Sequence, residues 1–90
     1  MPNIFEAAAG LSGVEQLKLA FQGEELAAPI ARTLDYRLTE VEEGRVVFEG
    51  TPTQAVYNPI GTVHGGWMAT LLDSACACAV HSTLKPGQVY

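Results

Sequence analysis

Apolar positions recur along this chain with different periods in different stretches. Val14, Leu17 and Phe21 share one face at helical spacing behind Ser12-Gly13-Val14-Glu15. That tetrapeptide has the form of a capping box, with Ser12 as N-cap and Glu15 reaching back, and Gly23 supplies a stop. A short amphipathic helix covering a sheet is expected there, after a loose lead-in over residues 1–11 with some helical tendency. Pro29 breaks the next stretch. Leu34, Tyr36 and Leu38 then alternate with Asp35, Arg37 and Thr39, the period of a half-buried strand. Glu42-Glu43-Gly44 reads as a turn, with Gly44 free to take positive φ. Arg45 to Gly50 is the returning strand, and Pro52 ends it or confines it to an edge.

A third period begins at Gly65. Trp67, Met68, Leu71, Leu72, Ala75, Cys76, Ala79 and Val80 cover a helix from about Gly65 to about Ser82 almost all the way round. Such a helix must be wrapped by other structure. The small residues from Ala75 to Val80 imply that something packs close to it. Lys85-Pro86-Gly87 makes a turn, and Gln88-Val89-Tyr90 reads as the opening of another strand. A hairpin and a strand stub are too little sheet to wrap this helix. The missing strands are expected either from a partner or from a longer domain of which these residues are the first part.

Length and charge narrow the picture. Ninety residues make one domain with a modest core, so stabilisation by association is expected. A hydrophobic content of 48% with 17% charged residues is globular. The net charge of −5, with Lys18, Arg32, Arg37, Arg45 and Lys85 scattered, argues against nucleic-acid binding. The start lacks the pattern of a secretory signal. The apolar run from Trp67 to Val80 contains Asp73 and is shorter than the roughly 20 residues that cross a bilayer. No membrane association is expected. Cys76 and Cys78 point about 200° apart on a helix, which disfavours a mutual disulfide or a shared metal. Small buried thiols and a cytoplasmic location are the expectation.

The candidate chemistry lies between Asn58 and Asp73. Asn58-Pro-Ile-Gly-Thr-Val-His64 is a polar loop that runs through Gly65-Gly66 directly into the apolar helix. A helix start with two glycines offers free N–H groups, the positive end of the dipole and close backbone approach to an oxygen bearing negative charge. Asp73 is the one carboxylate on that helix, and a raised pKa in apolar surroundings would suit it as a base. Plain structural readings stand beside these. Asp73 can fix helix packing, His64 can brace the loop, and Asn58 before Pro59 is a common turn pair. Trp67 can be core or pocket wall. His81 suits a residue that compensates the helix dipole. His64, Asp73 and His81 match no metal-ligand spacing, so neither a metal nor another cofactor is expected.

The order of helix, hairpin, Asn-x-x-Gly-x-x-His-Gly-Gly, acid-bearing helix and Pro-Gly resembles the hotdog-fold acyl-CoA thioesterases. It looks most like the phenylacetate-degradation (PaaI-type) branch. The resemblance runs from about Arg32 to Tyr90 and is densest from Asn58 to Asp73. It implies an α+β hotdog fold, an antiparallel sheet wrapped around one long central helix, here incomplete because the family's later strands are not found. It also implies hydrolysis of an acyl-CoA thioester carrying an aryl or small to medium acyl group. Asp73 falls on the general base or nucleophile, and Gly65 on the N–H that polarises the carbonyl. Asn58 falls on a loop residue that places the carbonyl or water, and His64 on a residue shaping the loop near the carbonyl. Gly66, Trp67 and Tyr57 would contact substrate. The fold's dehydratase branch is disfavoured, because its pattern is not seen around His64.

Gly65 and Asp73 lie eight residues apart, about 12 Å along a helix. One thioester carbon cannot be about 3 Å from both. If both act, Asp73 of one subunit must face Gly65 of another, so a two-fold homodimer or dimer of dimers is expected. A non-catalytic acyl-CoA-binding module and a structural fragment of the fold are the alternatives.

Overall fold

A computed structural model describes residues 3–23 and 27–90. Residues 1–2 of the expected lead-in lie outside them. Helix α1 spans Ile4–Ala7, α2 Gly13–Gln22, α3 Pro29–Leu34 and α4 Gly65–His81, with strands β1 Tyr36–Glu42 and β2 Arg45–Gly50 between α3 and α4. The Ser12–Glu15 capping box forms. Ser12 Oγ accepts from the Glu15 N–H (3.3 Å), and Glu15 Oε1 accepts from the Ser12 N–H (3.0 Å). The backbone and side-chain bonds from Ser12 hold the Glu15 carboxyl below its usual range. Of the expected apolar face of α2, Leu17 is buried and Phe21 is exposed.

The first strand begins later than the alternation predicts. Pro29 occupies the first turn of α3, where its missing N–H costs nothing, and so starts a helix instead of only breaking the chain. Leu34 ends that helix. Asp35 takes a left-handed conformation (φ 57°) and turns the chain into β1. Gly44, at φ 80°, closes the antiparallel hairpin. The pairing Tyr36↔Gly50, Arg37↔Glu49, Leu38↔Phe48 shifts between Leu38 and Glu40 before continuing as Glu40↔Val47 and Val41↔Val46. Leu38 and Val41 are three residues apart, a spacing strict alternation would send to opposite faces. The bulge lets both be half-buried.

Helix α4 packs on this hairpin through one side. The buried Trp67 donates from Nε1 to the Leu34 carbonyl (2.8 Å), and Tyr36 Oη and Ser74 Oγ share a hydrogen bond (2.9 Å). A Cβ at Gly50 would sit 3.0 Å from Trp67 Cζ2, so the glycine makes room for the indole. The far end of α4 is a junction. Ser82 Oγ accepts from the Gly44 N–H (2.8 Å), and the Gly13 N–H donates to the Leu84 carbonyl (2.9 Å). A side chain at Gly13 would collide with the His81 carbonyl, which is why α2 starts on a glycine.

Three expectations change here. The helix is not wrapped on all sides, because Met68, Leu72 and Val80 are 49%, 65% and 50% exposed. The hairpin covers one side only. Cys76 is exposed, whereas burial raises the Cys78 thiol pKa. Residues 88–90 pair with no strand among the described residues. The Gln88 N–H closes a turn on Lys85, and Tyr90 lies against Phe5 and His81.

His81 also differs from expectation. It is buried, stacked on Phe5 (4.9 Å) and hydrogen-bonded through Nε2 to Gln16 Oε1 (2.8 Å). Burial lowers its pKa below 6.5, so the folded protein holds it neutral and it offers the helix dipole no charge. The unfolded chain therefore takes up this proton first as pH falls. The stability contributed by neutral His81 is present above about pH 6.5 and lost on acidification towards the folded-state pKa. Urea midpoints should fall below pH 6.5, with a shallower fall in His81→Phe. An identical profile in that variant would assign the dependence to other groups.

A folded chain of 9.6 kDa is expected to expose about 5,100 Å². This one exposes 5902 Å², and its buried apolar side chains among the described residues are Ala8, Leu17, Tyr36 and Trp67.

Candidate functional site

The loop before α4 is built by Asn58. Its Oδ1 accepts from the Ile60 and Thr62 N–H groups (3.1 Å each), and its Nδ2 donates to Thr62 Oγ1 (2.8 Å). The Asn58 N–H donates to the Thr62 carbonyl (2.8 Å), and Gly61 turns the chain at φ 84°. A bridge between Tyr57 and Val63, with a bond from the His64 N–H to the Val56 carbonyl (2.8 Å), closes the loop at its base. Asn58 thus spends its side chain on its own loop. Tyr57 is exposed at that base.

His64 is the N-cap of α4. Its Nδ1 accepts from the Gly66 N–H (2.8 Å), and its carbonyl accepts from the Trp67 N–H (3.0 Å). This bond requires an unprotonated Nδ1 and takes the Gly66 N–H out of service for a ligand. The Gly65 N–H is different. It has no acceptor among the described residues, and space around the glycine is open, with nothing within 4 Å of a Cβ placed there. One donor at the positive end of a 17-residue helix is left for an exogenous oxygen.

The two glycines therefore predict opposite behaviour. A Cβ at Gly66 would stand 2.9 Å from His64 Nδ1 and push the ring off its bond. Gly66→Ala should cost about 1 kcal/mol through the lost cap. Gly65→Ala should leave the thermal midpoint unchanged or slightly raised. Equal losses in thermal melts of the two variants would contradict this assignment of the cap.

Asp73 is exposed and carries no hydrogen bond among the described residues. The apolar burial expected around it is not supplied by the described residues. Its carboxylate is felt by the Tyr90 phenol, whose pKa is raised first by burial and then by Cys78 and Asp73. On the helical wheel Gly65, Ala69, Asp73, Cys76 and Val80, with Met68 and Leu72, fall within an arc of about 140°. All seven are exposed. Trp67, Leu71, Ser74, Cys78 and His81 occupy the opposite side and face the hairpin or α2. Gly65 and Asp73 thus share one open, mainly apolar face, separated along it by about 12 Å.

Trp67 is a core residue that ties α4 to α3 and β2. It also borders an open groove with Asp35, Arg37, Phe48 and Leu71, on the other side of α4 from Gly65 and Asp73. No cluster of three His, Cys, Asp or Glu able to hold a metal occurs among the described residues. No described helix is long and apolar enough to cross a membrane. The sequence pattern alone did not single out Ile60 or Ala69. Ile60, at the tip of the Asn58 turn, is 84% exposed. Its signal is an apolar residue at a turn tip where polar residues are usual. Ala69 lies midway between Gly65 and Asp73 and is a small residue near the centre of the open face.

Fold and site define a small α+β chain: a two-stranded antiparallel sheet beside a long C-terminal helix whose outer face carries an N–H and a carboxylate that have no hydrogen-bond partner among the described residues. Residues 16–90 match the family model described as "Domain of unknown function (DUF4442)", and the chain belongs to that family. No curated protein and no solved structure gives a significant match.

Proposed function

We propose that this chain is a hotdog-type acyl-CoA thioester hydrolase that works as a two-fold dimer, with each site built from two chains. The observation that carries the reading is the open face of α4. It presents the Gly65 N–H, unpaired among the described residues, and the Asp73 carboxylate at positions symmetric about Ala69. A second α4 packed antiparallel with its two-fold axis at Ala69 sets Gly65 of each chain level with Asp73 of the other. Ala69 lets the helices approach closely, while Met68 and Leu72 supply apolar cover that desolvates the acid. The substrate is a thioester with an aryl or small to medium acyl group.

The chemistry follows from those two groups. Asp73 of one chain takes a proton from water, and the resulting hydroxide attacks the thioester carbon. The carbonyl oxygen becomes an oxyanion that accepts from the Gly65 N–H of the other chain. Collapse breaks the C–S bond. The thiolate leaves and recovers the proton, giving free acid and CoA. His64 holds the helix start in place, and Asn58 shapes the loop.

Gly65→Pro tests the donor alone. Proline is tolerated at the first helical position, and His64 already has the extended conformation (φ −64°, ψ 133°) that precedes proline. The variant should melt like wild type while thiol release from a panel of acyl-CoAs falls about 10²–10³-fold in kcat. Undiminished turnover would remove Gly65 from the mechanism. A second reading, a non-catalytic acyl-CoA-binding module, draws on the Asn58 and His64 side chains being engaged within their own chain. It predicts acyl-CoA binding without thiol release from the wild type.

A further inference from the structure

We infer that Ile60 is an interface anchor, docking on the C-terminal half of α4 in a second copy of this chain, and that Asn58 is the residue that positions it. The inference rests on the antiparallel pairing proposed above and adds a contact which that pairing does not itself require. With the two-fold axis at Ala69, residues 73–81 of the partner helix run beside the segment that precedes Gly65, over about 12 Å. That segment is the Asn58 loop. Its tip carries Ile60, the most exposed large apolar side chain among the described residues at 84%. The facing stretch of helix carries Val80, 50% exposed, with exposed Cys76 one turn before it.

The tip is held ready for such a contact. Asn58 Oδ1 binds the Ile60 and Thr62 N–H groups, Nδ2 binds Thr62 Oγ1, and the base is closed by the Tyr57–Val63 bridge. A pre-ordered turn loses little entropy when it docks. Surface area matches a second copy as occupant. The chain exposes roughly 800 Å² more than expected for its mass, which is the area a standard interface takes from each partner. Val80 carries the open face of α4 towards the C-terminal end of the helix, and the two-fold makes each contact twice.

Light scattering and sedimentation of the full chain test this, with circular dichroism to confirm folding. Wild type should be a dimer. Ile60→Asp and Val80→Asp should each raise the dimer dissociation constant at least about 10-fold. Asn58→Ala should weaken it less, because Ile60 remains but is no longer held. Combining Ile60→Asp with Val80→Lys in one chain should restore pairing by placing opposite charges at both contacts. A monomeric wild type would overturn the pairing and this inference together. A dimeric wild type whose dissociation constant is unchanged by Ile60→Asp would overturn this inference alone. So would an intact Ile60→Asp dimer with a raised KM for a medium-chain acyl-CoA, which would make Ile60 a wall of the acyl pocket.

Discussion

Asp73→Asn should lower kcat for thioester hydrolysis by about 10³–10⁴-fold and leave fold and assembly intact. The side chain is exposed and hydrogen-bonded to nothing among the described residues, so its replacement by an isostere breaks no hydrogen bond among them. Substitutions at such positions usually change stability by less than about 0.5 kcal/mol. The amide keeps the shape of the carboxylate and cannot take a proton from water. Kinetics of thiol release with parallel thermal melts separate two roles. A catalytic Asp73 loses kcat at constant thermal midpoint. A packing Asp73 would lose thermal stability first and retain turnover.

Trp67→Ala should have the largest effect on stability, about 3–5 kcal/mol. A chain of this length is expected to have only about 5–13 kcal/mol in total. The indole fills the space left by Gly50 and holds the Leu34 carbonyl, so its loss separates α4 from the hairpin and from α3. Trp67→Phe keeps most of the ring and should cost much less, chiefly the roughly 1 kcal/mol of the hydrogen bond together with the smaller ring. Urea unfolding followed by circular dichroism checks both, since Trp67 is the sole tryptophan. A small loss for Trp67→Ala would mean that the indole is a pocket wall and that the core lies elsewhere.

Local signals are legible in the sequence. The Ser12 box, the Gly44 turn, the bounds of β2 and the start of α4 each depend on a few adjacent residues, and each forms as its pattern predicts. Leu34 joins the alternation of Tyr36 and Leu38 yet ends a helix, because alternation does not distinguish a strand from a short helix that ends in a left-handed Asp35. From its position His81 suits a residue that compensates the helix dipole, because its partners, Phe5, Gln16 and Tyr90, are distant in sequence. The apolar belt of α4 is legible, but the exposure of its outer side is not, because a helical pattern does not tell which apolar positions find a neighbour. The candidate site was visible as a loop and an acid. Which N–H remains free depends on where the His64 ring turns, and the structure supplies that orientation.

Mixing Gly65→Pro chains with Asp73→Asn chains tests the shared site most directly. Each variant alone has both sites damaged. A mixed dimer has one site damaged twice and one site intact, with Gly65 from the Asp73→Asn chain and Asp73 from the Gly65→Pro chain. After subunit exchange in equal amounts, half of the dimers are mixed and each has one working site. Thiol release should therefore rise from near background to about a quarter of the wild-type rate. A mixture in which mixed dimers form and activity stays at the level of the two parents would contradict a site shared between chains.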